Sequence, residues 1–363
     1  MRKIKIAFCM AALDGGVGKV ILNYFDQMPI EDYNVDIITQ DFVSKQYIEE
    51  YKDRNFKILK VPTKKESLFG NMKTLYKIMK REKYDIVHSH MTLTNFFPLF
   101  IAKICGVKIR ISHSHLAGKH SIKSKILATL SNLVATDYFA CGKDAGKFLF
   151  GKRKFKVINN AIDLDRYRYS KKIRDEQRKK LKIAENEILI GHVGRFTEQK
   201  NHEFILDVFK QVHSSNKNTK LLLMGDGKLK KNIIEKSRKM DIYDSVIYTG
   251  AINDVAEKLQ AIDLFILPSL FEGLCIAAIE AQANGLPCLF SNNVSRETAI
   301  NDNIRFCDLN NSLMKWNDEI EQLLEIGRVS NDKLEQNGFD IRKEASSLDS
   351  FYKDKLKENN IRC

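Results

Sequence analysis

Short apolar runs alternate with longer amphipathic stretches along most of the chain. Residues 4–10, 35–38, 57–61, 86–88, 109–111, 138–140 and 156–158 read as strands, bounded by polar or glycine-containing segments. The segments between them repeat their apolar positions at helical spacing, as in 68–80, where Leu68, Met72, Leu75, Tyr76 and Met79 share one face, and in 124–135. Strands alternating with helices predict a parallel sheet, since successive parallel strands need a crossover that a helix supplies. From residue 165 to 182 the pattern lapses into a charged stretch without a sustained apolar face. It then restarts at 188–193, 220–224, 246–248, 264–267 and 287–290. The expected fold class is α/β, with two Rossmann-like doubly wound parallel-sheet domains, 1–165 and 184–338, and a linker at 166–183. Residues 339–357 space Ile341, Ala345, Leu348, Phe351, Tyr352 and Leu356 as a terminal helix within 339–363.

With 363 residues, 44% hydrophobic and 29% charged, the chain has the composition of a soluble globular protein of two domains. No apolar run approaches the roughly 18 residues of a membrane span. The longest candidate, 96–102, stops at Lys103. The basic start is interrupted by Lys5 and lacks a cleavage signature, so it reads as a first strand rather than a signal peptide. Seven scattered cysteines, with no close pair at metal-ligand spacing, predict reduced thiols in a cytoplasmic protein. The formal charge of +14 is lopsided. Residues 1–183 carry 37 Lys and Arg against 18 Asp and Glu, whereas 184–363 carry 23 against 28. Such a basic half suits a polyanion: nucleic acid, an anionic membrane surface or a phosphorylated substrate.

Three stretches carry candidate chemistry. The first strand runs into Asp14-Gly15-Gly16-Val17-Gly18-Lys19, a turn whose glycines let backbone amides approach an anion at a helix N-terminus. A P-loop would need Ser or Thr after the lysine, and Val20 stands there. A plain tight turn, or a loop that approaches the phosphates of a nucleotide sugar, remains. In the second half, Gly194-Arg195 ends a strand and Lys200 follows five residues on, so two cations at the mouth of a parallel strand could bracket a diphosphate. The third stretch, 268–287, breaks a strand at Pro268, presents Glu272 in a loop, and carries Glu280 into an apolar helix beginning near Leu274. A carboxylate among Ile279, Ala281 and Ala283 needs a partner if buried. Elsewhere, His88, His90, His113 and His115 suggest zinc, but they fall on two different strands and no carboxylate completes a set, so no metal site is expected.

Taken in order, these residues resemble the retaining glycosyltransferases of family 4, enzymes of the GT-B fold that use a nucleotide sugar. The signature Glu-x7-Glu is met by Glu272 and Glu280, the GR…K strand-loop by Arg195 and Lys200, and the glycine-rich N-terminal loop by Gly15 and Gly16. Met224-Gly225-Asp226-Gly227, Tyr248-Thr249-Gly250, Asp263 and the run 157–163 extend the likeness over nearly the whole chain. Asn159-Asn160-Ala161 in place of the frequent Pro-Asn-Gly, and Cys275 in place of Pro or Gly, depart from it without removing a charge. The resemblance implies a domain for the acceptor in 1–165, a nucleotide-sugar domain in 184–338, and a last helix that returns to the first domain.

By the same resemblance, Arg195 and Lys200 neutralise the donor diphosphate, Glu272 binds hydroxyls of the transferred sugar, and Glu280 holds the ribose. Backbone amides of Gly273, Leu274 and Cys275 face sugar or phosphate oxygens, and a histidine after a central N-domain strand, His113 with His115 close behind, lies near the sugar. The implied reaction is metal-independent retaining transfer of a hexosyl unit, with no cofactor, from a UDP-sugar to a glycan or lipid-linked saccharide acceptor. The Arg-Ile-Ser-His-Ser-His run is similar to that of capsule and exopolysaccharide enzymes, which implies work at the cytoplasmic face of the plasma membrane. Two other readings stand beside it. A nucleotide-sugar epimerase of the same architecture would isomerise donor without acceptor. A nucleic-acid-binding protein would use the basic half, yet no aromatic RNA-binding motif accompanies it, and no nucleic-acid partner is expected.

Overall fold

The computed structural model describes residues 2–13, 16–41, 45–118 and 121–361, with no account of the side chains of 45–47. They form two compact units: 1–161 together with 341–363, and 162–340.

The first unit is built on a seven-stranded sheet: β1 (Ile4–Ala12), β2 (Tyr33–Asp41), β3 (Lys57–Lys60), β4 (Ile86–Ser89), β5 (Ile109–Ser114), β6 (Asp137–Ala140) and β7 (Lys156–Val157). Their order is β3-β2-β1-β4-β5-β6-β7, and every pairing is parallel. Chain order reverses between β1 and β4, the switch point where loops leaving the carboxyl ends of the strands splay apart. All four residues of β4 are buried, as expected of a strand covered by helices on both faces. The helix Leu68–Glu82 begins at an N-cap, Ser67, whose side chain accepts from Gly70 N. Its buried face is centred on Asn71, Leu75, Ile78 and Met79, while Leu68 and Tyr76 are exposed. The expected face was thus offset by part of a turn. Asn71, invisible to an apolar count, is buried because its amide donates to Pro62 O. The helix Ile341–Glu358 buries Ile341, Ala345, Leu348, Tyr352 and Leu356 and belongs to this unit.

The second unit carries six strands, β8 (Ile188–Val193), β9 (Thr219–Met224), β10 (Val246–Gly250), β11 (Leu264–Leu267), β12 (Cys288–Ser291) and β13 (Ile304–Cys307). The order β10-β9-β8-β11-β12-β13 is again all parallel, with its switch point between β8 and β11. Edge strand β13, Ile-Arg-Phe-Cys between Asn and Asp residues, lacks an apolar run and was absent from the expected strands.

The charged stretch expected to be a linker contains the helix Lys171–Leu181, which lies within the second unit. It folds against the sheet through polar anchors. Arg174 and Arg178 hold Asp263 at 2.5 and 3.1 Å, and the same carboxylate accepts from Leu189 N at the start of β8. Arg178, almost fully buried, also donates to the carbonyls of Ala261, Ala184 and Glu187. A helix docked by guanidinium groups shows no apolar stripe, so hydrophobic periodicity does not reveal it.

Candidate active site

In the second unit, the loops after β8 and β11 flank the switch point and carry the charged residues singled out above. Two glycines hold the first loop in place. Gly225 has φ +145°, and a Cβ there would lie 2.1 Å from Gly194 O; one at Gly227 would lie 2.7 Å from Phe196 O. Backbone bonds from Gly194 N to Met224 O and from Phe196 N to Asp226 O complete the seam. Gly194 also makes room for Lys200: a Cβ on it would lie 3.2 Å from Lys200 Cδ. Arg195, between Gly194 and this seam, is exposed.

Lys200 reaches the second loop. Its ammonium lies 2.6 Å from Glu272 Oε1 and donates to Cys275 Sγ at 3.4 Å, with side-chain exposures of only 15% for Lys200 and 10% for Glu272. Gln199 Nε2 donates to Glu272 Oε1 at 3.0 Å and to Phe271 O at 3.1 Å, while Leu270 N donates to Gln199 O. A parallel bridge to Val294 pins Glu272 from the other side. Burial drives the Lys200 pKa down, but the neighbouring Cys275 and Glu272 outweigh it, and the net shift is upward. The Cys275 thiol is pushed up by burial, which keeps it protonated at neutral pH. The cluster is therefore a fixed cation held ready by a carboxylate.

Gly273, Leu274 and Cys275 are buried, and Cys275 is the N-cap of the helix Ile276–Ala283 without a side-chain capping bond. Glu280 lies on that helix, 5% exposed, and accepts from Tyr167 OH at 2.6 Å. Lys200 thus touches both Glu272 and Cys275, Arg195 shares its loop with an exposed side chain, and Glu280 accepts from Tyr167. Gln199 and Tyr167 escaped the sequence reading. Gln199 had a signal in its adjacency to Lys200, whereas Tyr167, 113 residues from its partner, had none.

In the first unit, Gly15 lies outside the described residues, and Gly16 opens the helix Gly16–Phe25 beside the switch point. The histidines on different strands come together because β4 and β5 pair with His88 opposite Ile111, which puts His88, His90, His113 and His115 on one face. Ligating atoms of His88, His90 and His113 lie within 4.8 Å of one another, so the trio could hold a metal ion, contrary to the objection that separate strands raised. Four of its six ring nitrogens are engaged already: His88 Nδ1 lies 2.7 Å from Tyr352 OH, His88 Nε2 lies 3.1 Å from His113 Nδ1, and His90 Nδ1 lies 2.8 Å from His115 Nε2. Burial pushes His88, His90 and His113 well below the usual imidazole range and His115 down to about 4, so all four rings are neutral at physiological pH. Asp163-Leu164-Asp165, spaced as a metal-holding Asp-x-Asp, is used otherwise. Asp163 caps the helix Leu164–Tyr167 by accepting from Asp165 N and Arg166 N, and Asp165 pairs with Arg168.

Residues 173–340 match the family model described as Glycosyl transferases group 1, and residues 14–166 the model described as Glycosyltransferase Family 4. The chain is 28% identical over 359 residues to EpsF of Bacillus subtilis, covering 93% of each protein. It is also 28% identical over 384 residues, 97% of each, to the Escherichia coli UDP-Gal:alpha-D-GlcNAc-diphosphoundecaprenol alpha-1,3-galactosyltransferase. Among solved structures, Anabaena Alr3699/HepE in complex with UDP and glucose superposes with a TM-score of 0.78 at 15% identity, covering 96% of this chain and 99% of that one. No helix among the described residues is long and apolar enough to cross a membrane. With two doubly wound parallel-sheet units, each matched by its own family model, the chain is a GT-B-fold glycosyltransferase related to the group 1 and family 4 enzymes.

Proposed function

We propose that this glycosyltransferase moves a hexosyl unit from a UDP-sugar to a glycan or lipid-linked saccharide acceptor, with retention and without a metal ion. The observation that carries the reading is the nearly buried Lys200–Glu272 pair at the switch point of the second unit, with Arg195 on the same loop as Lys200. Breaking a sugar–diphosphate bond builds negative charge on the leaving phosphate. Arg195 and Lys200 neutralise that charge, the work a metal ion does elsewhere. On donor binding Lys200 turns from Glu272 to the diphosphate, which frees the Glu272 carboxylate for sugar hydroxyls. Glu280, steadied by Tyr167, takes the ribose, and the amides of Gly273, Leu274 and Cys275 face donor oxygens. Glu272 and Glu280 lie on one helix and its entry loop, an arrangement for binding a donor rather than for the opposed acid and base of a hydrolase. His113 contacts the transferred sugar. The named activity of the Escherichia coli relative, on a diphosphoundecaprenol-linked acceptor, supports this substrate class.

The experiment is a panel of UDP- and GDP-sugars incubated with purified protein, with and without an undecaprenyl-diphosphate-linked saccharide. Acceptor-dependent release of UDP and a product of retained anomeric configuration by NMR are expected. Isomerised donor without acceptor would assign an epimerase instead, and no nucleotide release from any donor would refute the proposal.

We also read the first unit as the part that meets the inner face of the plasma membrane. Residues 51–156 hold 23 Lys and Arg against 6 Asp and Glu. The large apolar side chains exposed among this unit's described residues lie on the same stretch, among them Phe69 (78%), Ile122 (82%) and Leu133 (64%). Salt-sensitive co-sedimentation with anionic vesicles is expected, and equal binding to neutral vesicles would discard this reading.

A further inference from the structure

We infer that Tyr352 and His88 are positioning residues that fix His113 in one tautomer and make its Nε2–H a hydrogen-bond donor to an oxygen of the sugar substrate. The inference rests on the proposed placement of His113 beside the sugar. Its basis is a chain of contacts within the first unit. Tyr352 OH, on the helix Ile341–Glu358, lies 2.7 Å from His88 Nδ1, and His88 Nε2 lies 3.1 Å from His113 Nδ1. All three side chains are at least 98% buried. His113 Nε2, at the end of this relay, has no partner among the described residues.

A neutral imidazole carries one donor and one acceptor, so a single choice at Tyr352 propagates through both rings. If the tyrosine hydroxyl donates to His88 Nδ1, then His88 Nε2–H donates to His113 Nδ1, and the remaining proton of His113 sits on Nε2. Every buried donor before that last one is satisfied. If His88 Nδ1–H donates to the tyrosine instead, the Tyr352 proton has no acceptor, since His88 is its sole hydrogen-bond partner among the described residues. His113 Nε2 is then a bare lone pair as well. The first arrangement leaves one orphan group and the second leaves two, and each buried orphan carries its own desolvation cost. The surviving orphan is an N–H lying off the C-terminal half of β5, two strands from β1 across the switch point. A donor there matches a hydroxyl or phosphate oxygen and does not match a cation. The orphaned His90 Nε2 lies beside it, with the His90 and His113 ring centroids 4.7 Å apart.

The test is imidazole 15N–1H correlation NMR on the full chain labelled at histidine, with His113→Gln to assign the resonance, together with UDP release from UDP-glucose. His88 and His113 are both expected to be protonated on Nε2, and UDP-glucose is expected to move the His113 Nε2–H signal. Tyr352→Phe should leave His88 averaged between tautomers and lower kcat about tenfold, with the donor KM within about twofold. His88→Gln, whose amide can still donate to His113 Nδ1, should retain most of kcat. Protonation of His113 on Nδ1 in the wild type would overturn the inference. So would His88 and His113 signals and a kcat left unchanged by Tyr352→Phe, or one equivalent of Zn2+ bound with loss of the Nε2–H signals. Lys200→Ala separates the two readings. If it leaves UDP-glucose affinity intact, the donor site itself fails. If it abolishes affinity while His113 proves Nδ1-protonated, the relay alone fails.

Discussion

Replacing Lys200 by alanine removes one member of a nearly buried ion pair and leaves the Glu272 carboxylate with Gln199 Nε2 at 3.0 Å as its close donor. Breaking a buried pair from one side costs about 3–5 kcal/mol, because the charge left behind is no longer compensated. The retained amide bond and the residual exposure of both side chains place Lys200→Ala near the bottom of that range, at about 3 kcal/mol. For a unit of roughly 180 residues this corresponds to a fall in Tm of about 6–12 °C. Glu272→Ala strands the ammonium instead, at similar cost. The double variant should then cost about 2 kcal/mol less than the sum of the singles. Trp316 makes the assay specific: it is the sole tryptophan, fully buried, and lies in the second unit, so urea unfolding followed by its fluorescence reports this unit alone. The sign with pH is also fixed. A lysine whose folded pKa is raised contributes fully below its unfolded value of 10.5, so the coupling should be flat from neutral to mildly alkaline pH and fade only in strong alkali. Additivity of the two single variants within about 0.5 kcal/mol would mean that the pair does not exist in solution.

Tyr167→Phe removes a hydroxyl donor from the buried Glu280 carboxylate and should destabilise the second unit by about 1.5–3 kcal/mol in the same urea assay, with weakened UDP binding. His202→Phe should stabilise that unit by about 1 kcal/mol at neutral pH, because both ring nitrogens are buried against Phe196 with no partner among the described residues. Burial, with Lys200 adding to it, pushes His202 down to about 3, so the wild type loses stability as the pH falls from 6.5 toward that value. The gap between variant and wild type should widen over this acid range. Gly225→Ala, whose Cβ would collide with Gly194 O, should cost at least about 2 kcal/mol and abolish UDP binding. Gly327→Ala, also at positive φ (φ 69°, ψ −157°) but with open space around it, should cost about 1–3 kcal/mol through backbone strain alone and leave binding intact.

The sheets were legible in the sequence because buried parallel strands are continuous apolar runs, and β8 and β11 were read at their observed bounds. Strand β13 and the helix Lys171–Leu181 were not, for one shared reason. In both, a guanidinium paired with a carboxylate, Arg305 with Glu319 and Arg178 with Asp263, interrupts the apolar run that would have marked the element. At the candidate site, charge and spacing pointed to Lys200, Glu272 and Glu280. Their partners Gln199 and Tyr167 depend on how loops fold back. The histidine cluster was visible as four residues but dismissed as two pairs. Only the register of β4 against β5 places them on one face, and register is a tertiary property.

Calorimetric titration of UDP into the wild type and into folded Lys200→Ala protein addresses the donor site without needing the acceptor. The account predicts one UDP per chain and an affinity lower by at least about tenfold in the variant, the loss of one charge-assisted phosphate contact. Equal affinity in the two proteins, or no UDP bound by the wild type, would contradict it.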